Sequence, residues 1–156
     1  MKIAMALVAA LALGAPAVTM TGDKALVIPA QDLSAQFAGL ISQAKSTGIA
    51  GPTIASYGRL SLLLSVRTKD GVGELHQDFD DLMIVEQGTA TLITGGTLVA
   101  PKTISAGEIR GTKVDNGVSK NIGVGDVVIV PAGVPHQILV PPGTVYTSLM
   151  AKIKEP

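Results

Sequence analysis

The sequence predicts an all-β barrel preceded by one α-helix. Short apolar runs recur at roughly ten-residue spacing from Leu60 onward, separated by Gly or Pro, as in a sandwich or barrel. Aromatics make up only 3% and Trp is absent, so Val, Leu, Ile and Ala must build the core. The stretch Ala30–Gly48 carries a helical period instead. At 156 residues the chain fits one domain.

The first segment, MKIAMALVAALALGAPA, has the layout of a secretory signal peptide over residues 1–17. Lys2 supplies the positive end, Ile3 to Leu13 the apolar run, and Ala15-Pro16-Ala17 a small-residue cleavage site. The apolar run falls short of the ~20 residues that cross a bilayer. An exported protein, periplasmic or secreted, is therefore expected, with no membrane association after cleavage. Residues 18–58 form an N-terminal extension and 59–156 the barrel domain.

Within the extension, Leu33, Phe37, Leu40, Ile41 and Ala44 line one helical face. Asp32 is placed to cap the start and Gly48 to stop the end. The helix is expected to pack on the outside of the barrel or against a second subunit. Strands follow. RLSLLLSVRT puts Leu60, Leu62, Leu64 and Val66 on one face. DLMIVEQ and TATLITG come next, and the latter alternates Ala90, Leu92 and Thr94 against Thr89, Thr91 and Ile93. TKVDNGVSKNI reads as a hairpin turning at Asn116-Gly117. DVVIVP, with a buried VVIV, then HQILVP and VYTSLMAKI complete the set.

Composition excludes several chemistries. Lys plus Arg and Asp plus Glu number 12 each, giving no electrostatic reason to expect nucleic acid as a partner. Cysteine is absent, so there is no disulfide, thiolate metal site or Cys nucleophile. A metal site would have to use His and carboxylate. The chain has two histidines, His76 and His136.

His136 sits in a specific context. Gly125, Pro131, Gly133 and His136 give the string G-x5-P-x-G-x2-H. Gly125-Asp126 turns into a strand, and Pro131 ends it because proline cannot donate to the ladder. Gly133 permits a tight turn, and His136 opens the next strand on the same face as Ile138 and Val140. This string resembles the second motif of the cupin superfamily at every defining position through the histidine. Val140 stands where the family often has Asn.

The first cupin motif is roughly G-x5-H-x-H-x3/4-E-x6-G, and Gly71 to Gly88 resembles it with departures. His76 takes the place of one of the paired histidines, one residue closer to Gly71 than the pattern asks. Asp78 takes the place of the second. Asp81 takes the place of the glutamate, six residues before Gly88. The interval between histidine pair and acid is then one residue short. The resemblance spans about Leu60 to Ile153 and is nearest to small single-domain cupins, with LITGG at Leu92–Gly96 and GEIRG at Gly107–Gly111 between the motifs.

The resemblance implies a cupin-type β-barrel (double-stranded β-helix, or jelly roll) with the motifs on neighbouring strands. It implies His76, Asp81 and His136 as ligands of a divalent metal, Fe, Mn, Ni or Zn, with Asp78 or Gln77 as further candidates. A small-molecule ligand or substrate is implied, and a homodimer is the favoured assembly. Dioxygenase, isomerase and lyase chemistry all occur on the fold, so the fold does not choose among them. The alternative is a non-catalytic cupin that binds a small molecule without metal. In the plainer readings, Asp78 and Asp80 are solvated charges where a strand starts, and Glu86 is exterior. Glu108 and Arg110 are a surface hairpin pair, or else rim the barrel mouth, and Tyr146 faces the lumen or the core.

Overall fold

The computed structural model describes Val18–Thr19 and residues 25–156. The expected signal peptide, residues 1–17, lies outside the described residues. Helix α1 spans Ala30–Thr47. The described strands are β1 (Val18–Thr19), β2 (Ile49–Ala50), β3 (Thr53–Tyr57), β4 (Leu60–Arg67), β5 (Gly73–His76), β6 (Phe79–Gln87), β7 (Thr89–Thr94) and β8 (Thr97–Leu98). They continue with β9 (Lys102–Ser105), β10 (Glu108–Gly111), β11 (Val114–Asp115), β12 (Val118–Gly123), β13 (Val127–Val130), β14 (His136–Leu139) and β15 (Tyr146–Lys154).

Two sheets face each other. One has the order β1-β3-β4-β15-β6-β13, with β2 also on β4; the other has the order β12-β7-β14-β5-β10-β9. The strands of β2 and β3 precede residue 59 yet pair with β4, so part of the extension is built into the first sheet. The core lies between the sheets. Met83, Val85, Val128, Val130 and Tyr146 come from the first sheet, Ala90, Leu92, Ile122 and Ile138 from the second, and Val140 from just past β14. Each row follows period-two alternation, which sends one face of a strand inward.

The helix covers the outside of the first sheet, where Phe37, Leu40 and Ala44 pack with Ala50, Leu64 and Val66. Its start differs from expectation. Pro29 is the N-cap, no side chain caps the helix, and Asp32 falls in the first turn, where a carboxylate favours the positive end of the helix dipole. Gly48 does end it, in the left-handed region at φ 92°.

Two strand expectations are corrected. Asn116-Gly117 does not turn a hairpin, because β11 pairs with β8 and β12 with β7. Asn116 alone takes a positive φ, of 58°. Gly117 is needed for room: a Cβ there would meet Ile93 Cγ2 at 2.6 Å. The VVIV strand is buried on one face only. Val128 and Val130 point inward, whereas Val127 and Ile129 are exposed at the sheet edge.

Gly88 joins β6 to β7 at φ 75°, and a Cβ there would run into the Val145 carbonyl oxygen. Gly88→Ala should therefore lower unfolding free energy by about 2–4 kcal/mol. Gly58→Ala, at φ 55° with open space around it, should cost about 1 kcal/mol. Urea unfolding of both variants checks this; equal costs would contradict it.

Candidate metal centre

Strand register assembles the site. Glu74 and His76 lie two apart on β5 and so share a face. On the neighbouring strands His136 pairs with Glu74, Glu108 with His76, and Arg110 with Glu74. From the opposite sheet Asp81 pairs with Lys152, since β6 lies beside β15. Long-range pairing thus brings charged residues from five strands to one place inside the barrel.

The structure brings His76, Asp81 and His136 together. All three are buried, at 3%, 1% and 4% exposure. Asp81 Oδ2 lies 3.2 Å from His76 Nε2 and 3.6 Å from His136 Nε2. The rings sit 5.2 Å apart, centroid to centroid. Glu74 is the residue that sequence reasoning missed. Its Oε2 is 3.6 Å from His76 Nε2, and Glu74, His76 and His136 form a group that could hold a metal ion.

Glu74 also re-registers the first motif. With Glu74 in the first-histidine place and His76 in the second, four residues separate His76 from Asp81 and six separate Asp81 from Gly88. The shortfall between the pair and the acid disappears, while the motif's opening glycine place then falls on Thr68. The signal was available in strand alternation, which puts residues 74 and 76 on one face. Asp78 and Gln77 are exposed and do not join the cluster. Asp80 is not merely solvated: its Oδ1 accepts the Ala132 N–H at 2.8 Å and so ties β6 to the turn before His136. Glu86 is exposed, as expected.

Glu108 and Arg110 form no separate surface pair. Glu108 Oε2 lies 2.7 Å from His76 Nδ1 and 3.0 Å from Arg110 Nη1. Local pattern could not reveal this, because β10 meets β5 only in the folded sheet. Arg67 Nη2 lies 3.3 Å from Glu74 Oε1, and Lys152 Nζ 3.2 Å from Asp81 Oδ1. Glu74, Asp81 and Glu108 are thus set against Arg67, Arg110 and Lys152, with His76 as a further cation. Tyr146 lies fully buried in the apolar core, and burial raises its phenol above the ordinary range. A cleft of about 570 Å³ beside Lys69, Asp70 and Pro142 contains none of these groups.

The electrostatics follow from burial and neighbours. Burial alone would lower His76, but Asp81 and Glu74 outweigh it and raise it to about 9. Burial lowers His136, whose Nδ1 faces the Val134 carbonyl at 3.2 Å. Burial would raise Glu74, yet His76, Arg110 and Arg67 hold it down to about 2. Against the same burial penalty, His76 and Lys152 keep Asp81 below the usual carboxylate range.

The raised pKa means that the fold binds the His76 proton more tightly than the unfolded chain does. That stabilisation is fully present below pH 6.5 and is lost as pH rises through about 9. Chelator-treated protein should lose stability across this window, by an amount bounded above by about 3 kcal/mol. His76→Gln should flatten the dependence. Thermal unfolding against pH reads this, and a melting temperature that rises from pH 6.5 to 9 would contradict it.

No family model matches the sequence, and no curated protein matches it. Solved structures match by fold. A protein of Bacillus halodurans is 15% identical, with 89% of this chain and 88% of that one covered at a TM-score of 0.58. The polyketide cyclase RemF from Streptomyces resistomycificus is 15% identical, with 70% and 69% covered at 0.52. A conserved protein with a double-stranded β-helix domain from Klebsiella pneumoniae is 12% identical, with 69% and 78% covered at 0.52. At these identities the likeness is one of fold, and it agrees with the two facing sheets: the chain folds as a cupin-type barrel, a double-stranded β-helix.

Proposed function

We propose that the barrel binds one divalent metal ion through His76, His136, Asp81 and Glu74 and acts on a small organic molecule there. One observation carries the proposal. Asp81 is a buried carboxylate, and neither of its oxygens accepts a hydrogen bond. Lys152 and His76 offset its charge, so what is left open is the lone-pair direction at Oδ2 and not the charge itself. Its Oδ2 faces two imidazole Nε2 atoms at 3.2 and 3.6 Å. Donors around one ion at ~2.1 Å stand about 3.0–3.4 Å apart, close to this spacing.

The surroundings suit the same role. Glu108 beside Nδ1 of His76 orients the ring and leaves Nε2 directed at the carboxylates, the usual outer support of a ligating histidine. Val134 does the same for His136 through its carbonyl. Mixed imidazole and carboxylate donors suit Fe, Mn, Ni or Zn. Bound there, such an ion would supply Lewis acidity toward a substrate oxygen. The chain's own groups would set orientation and charge: Glu74 is steadied by Arg67, and Asp81 by Lys152. The apolar rows of Met83, Val85, Ile138 and Val140 would keep bulk water from the interior.

Elemental analysis of the untagged protein tests this. After reloading with each of the four metals in turn, near-stoichiometric metal is expected with at least one. His76→Ala, His136→Ala and Asp81→Asn should each reduce occupancy by roughly tenfold or more. Failure of every metal to bind the wild-type chain would sink the proposal. It would leave a small-molecule-binding barrel without metal.

Export to the periplasm or medium belongs to the same proposal, supported by Lys2, the apolar run and the small residues at Ala15–Ala17. Mass spectrometry of protein recovered from the expressing cell should find a new N-terminus at Val18. Material that keeps Met1 to Ala17 in the cytoplasm would contradict export. A homodimer remains our proposed assembly, supported by Val127 and Ile129, exposed at 61% and 66% on an edge strand.

A further inference from the structure

The outer face of the first sheet is covered on one side only. Helix α1 lies over the β2 and β4 side, against Ala50, Leu64 and Val66. Toward β13 the same face carries further aliphatic side chains, and strand register sets them in rows. Ile129, Leu82, Ala151 and Leu62 form one row across β13, β6, β15 and β4. Val127, Ile84 and Leu149 form the next. Val127 and Ile129 are 61% and 66% exposed; at the far end of the face Leu60 and Ile153 are 40% and 39% exposed. Between Asp80 and Glu86, β6 turns only Leu82 and Ile84 to this side.

With strands about 4.8 Å apart and same-face residues about 6.7 Å apart, the rows make an apolar patch of roughly 300–400 Å². A monomer seldom leaves more than that bare. It is about half of the ~800 Å² that each partner brings to a standard interface, the rest being polar rim. Shape selects the occupant. Helix and sheet layers are each about 10 Å thick, so α1 stands as a wall beside the open rows. A second copy, turned about an axis along the strands, lays its own open rows on these. Its helix then falls beside β13, which ends the sheet and has no outer strand partner among the described residues. The VVIV of β13 carries no lysine or proline to protect that edge, and a covering helix is another way to protect one. Helix α1 suits the place, since Asp32 and Lys45 are its only charged residues.

We infer that two copies of this chain pack with these open sheet faces together, each α1 lying along the β13 edge of the other copy. This rests on the homodimer proposed above and gives it a face. Pairing of two β13 edges alone would leave Leu82, Ala151 and Leu60 in water, whereas the face-to-face arrangement buries them.

Sedimentation velocity of the untagged protein tests the inference. The wild type should sediment as a dimer at micromolar concentration. Ala151→Arg, two strands in from β13, buries an unpaired charge only in the dimer and should weaken association roughly a hundredfold or more. Its far-UV circular dichroism should match the wild type. If it does not, Leu60→Ser decides, because that side chain is already exposed: dimerisation weakened by roughly tenfold upholds the inference, and unchanged dimerisation overturns it. Ser119→Arg, on the exposed part of β12 in the other sheet, should leave the dimer intact. A dimer that persists in folded Ala151→Arg would overturn this face and leave the homodimer standing on another. A wild type that sediments as a monomer, bare or holding a different polypeptide, would overturn both.

Discussion

The Asp81 carboxylate is the constraint around which the interior is arranged. It is closed off from water, carries a charge and accepts no hydrogen bond. A group of this kind persists only if cations surround it. The fold meets that demand by joining strands distant in sequence. Strand β15 brings Lys152 to one oxygen; β5 and β14 bring His76 and His136 to the other. The apolar core lies along the same strands, so the sheet pairing that buries Met83, Val128 and Ile138 also sets the charged cluster.

Around that carboxylate, proton and metal compete for one place. Without metal, His76 is held charged between carboxylates, as its raised pKa of about 9 records. Metal at Nε2 would displace that proton, so uptake should be linked to proton release. Glu108 favours either state by occupying the Nδ1 side.

The architecture was legible in sequence where it rests on local period. Helix α1 falls where Leu33, Phe37, Leu40 and Ala44 share a face, and β6, β7, β14 and β15 fall on the short apolar runs. The string ending at His136 located one side of the site, and the six residues between Asp81 and Gly88 pointed to the acid. Glu74 was hidden because an acidic residue occupies a place where histidine is sought, although its alternation with His76 was in plain view. Glu108, Arg110 and Lys152 depend on the pairing of β10 with β5 and of β15 with β6, contacts across tens of residues that no local pattern encodes. The same limit explains the false hairpin at Asn116-Gly117: its flanking residues pair with β8 and β7, not with each other.

X-ray absorption at the metal edge of reconstituted protein reads the donor set itself. A shell of nitrogen and oxygen donors is expected, with the multiple-scattering signature of two imidazoles, reduced to one in His136→Ala. A spectrum of oxygen donors alone, unchanged by loss of either histidine, would place the metal elsewhere and contradict the account.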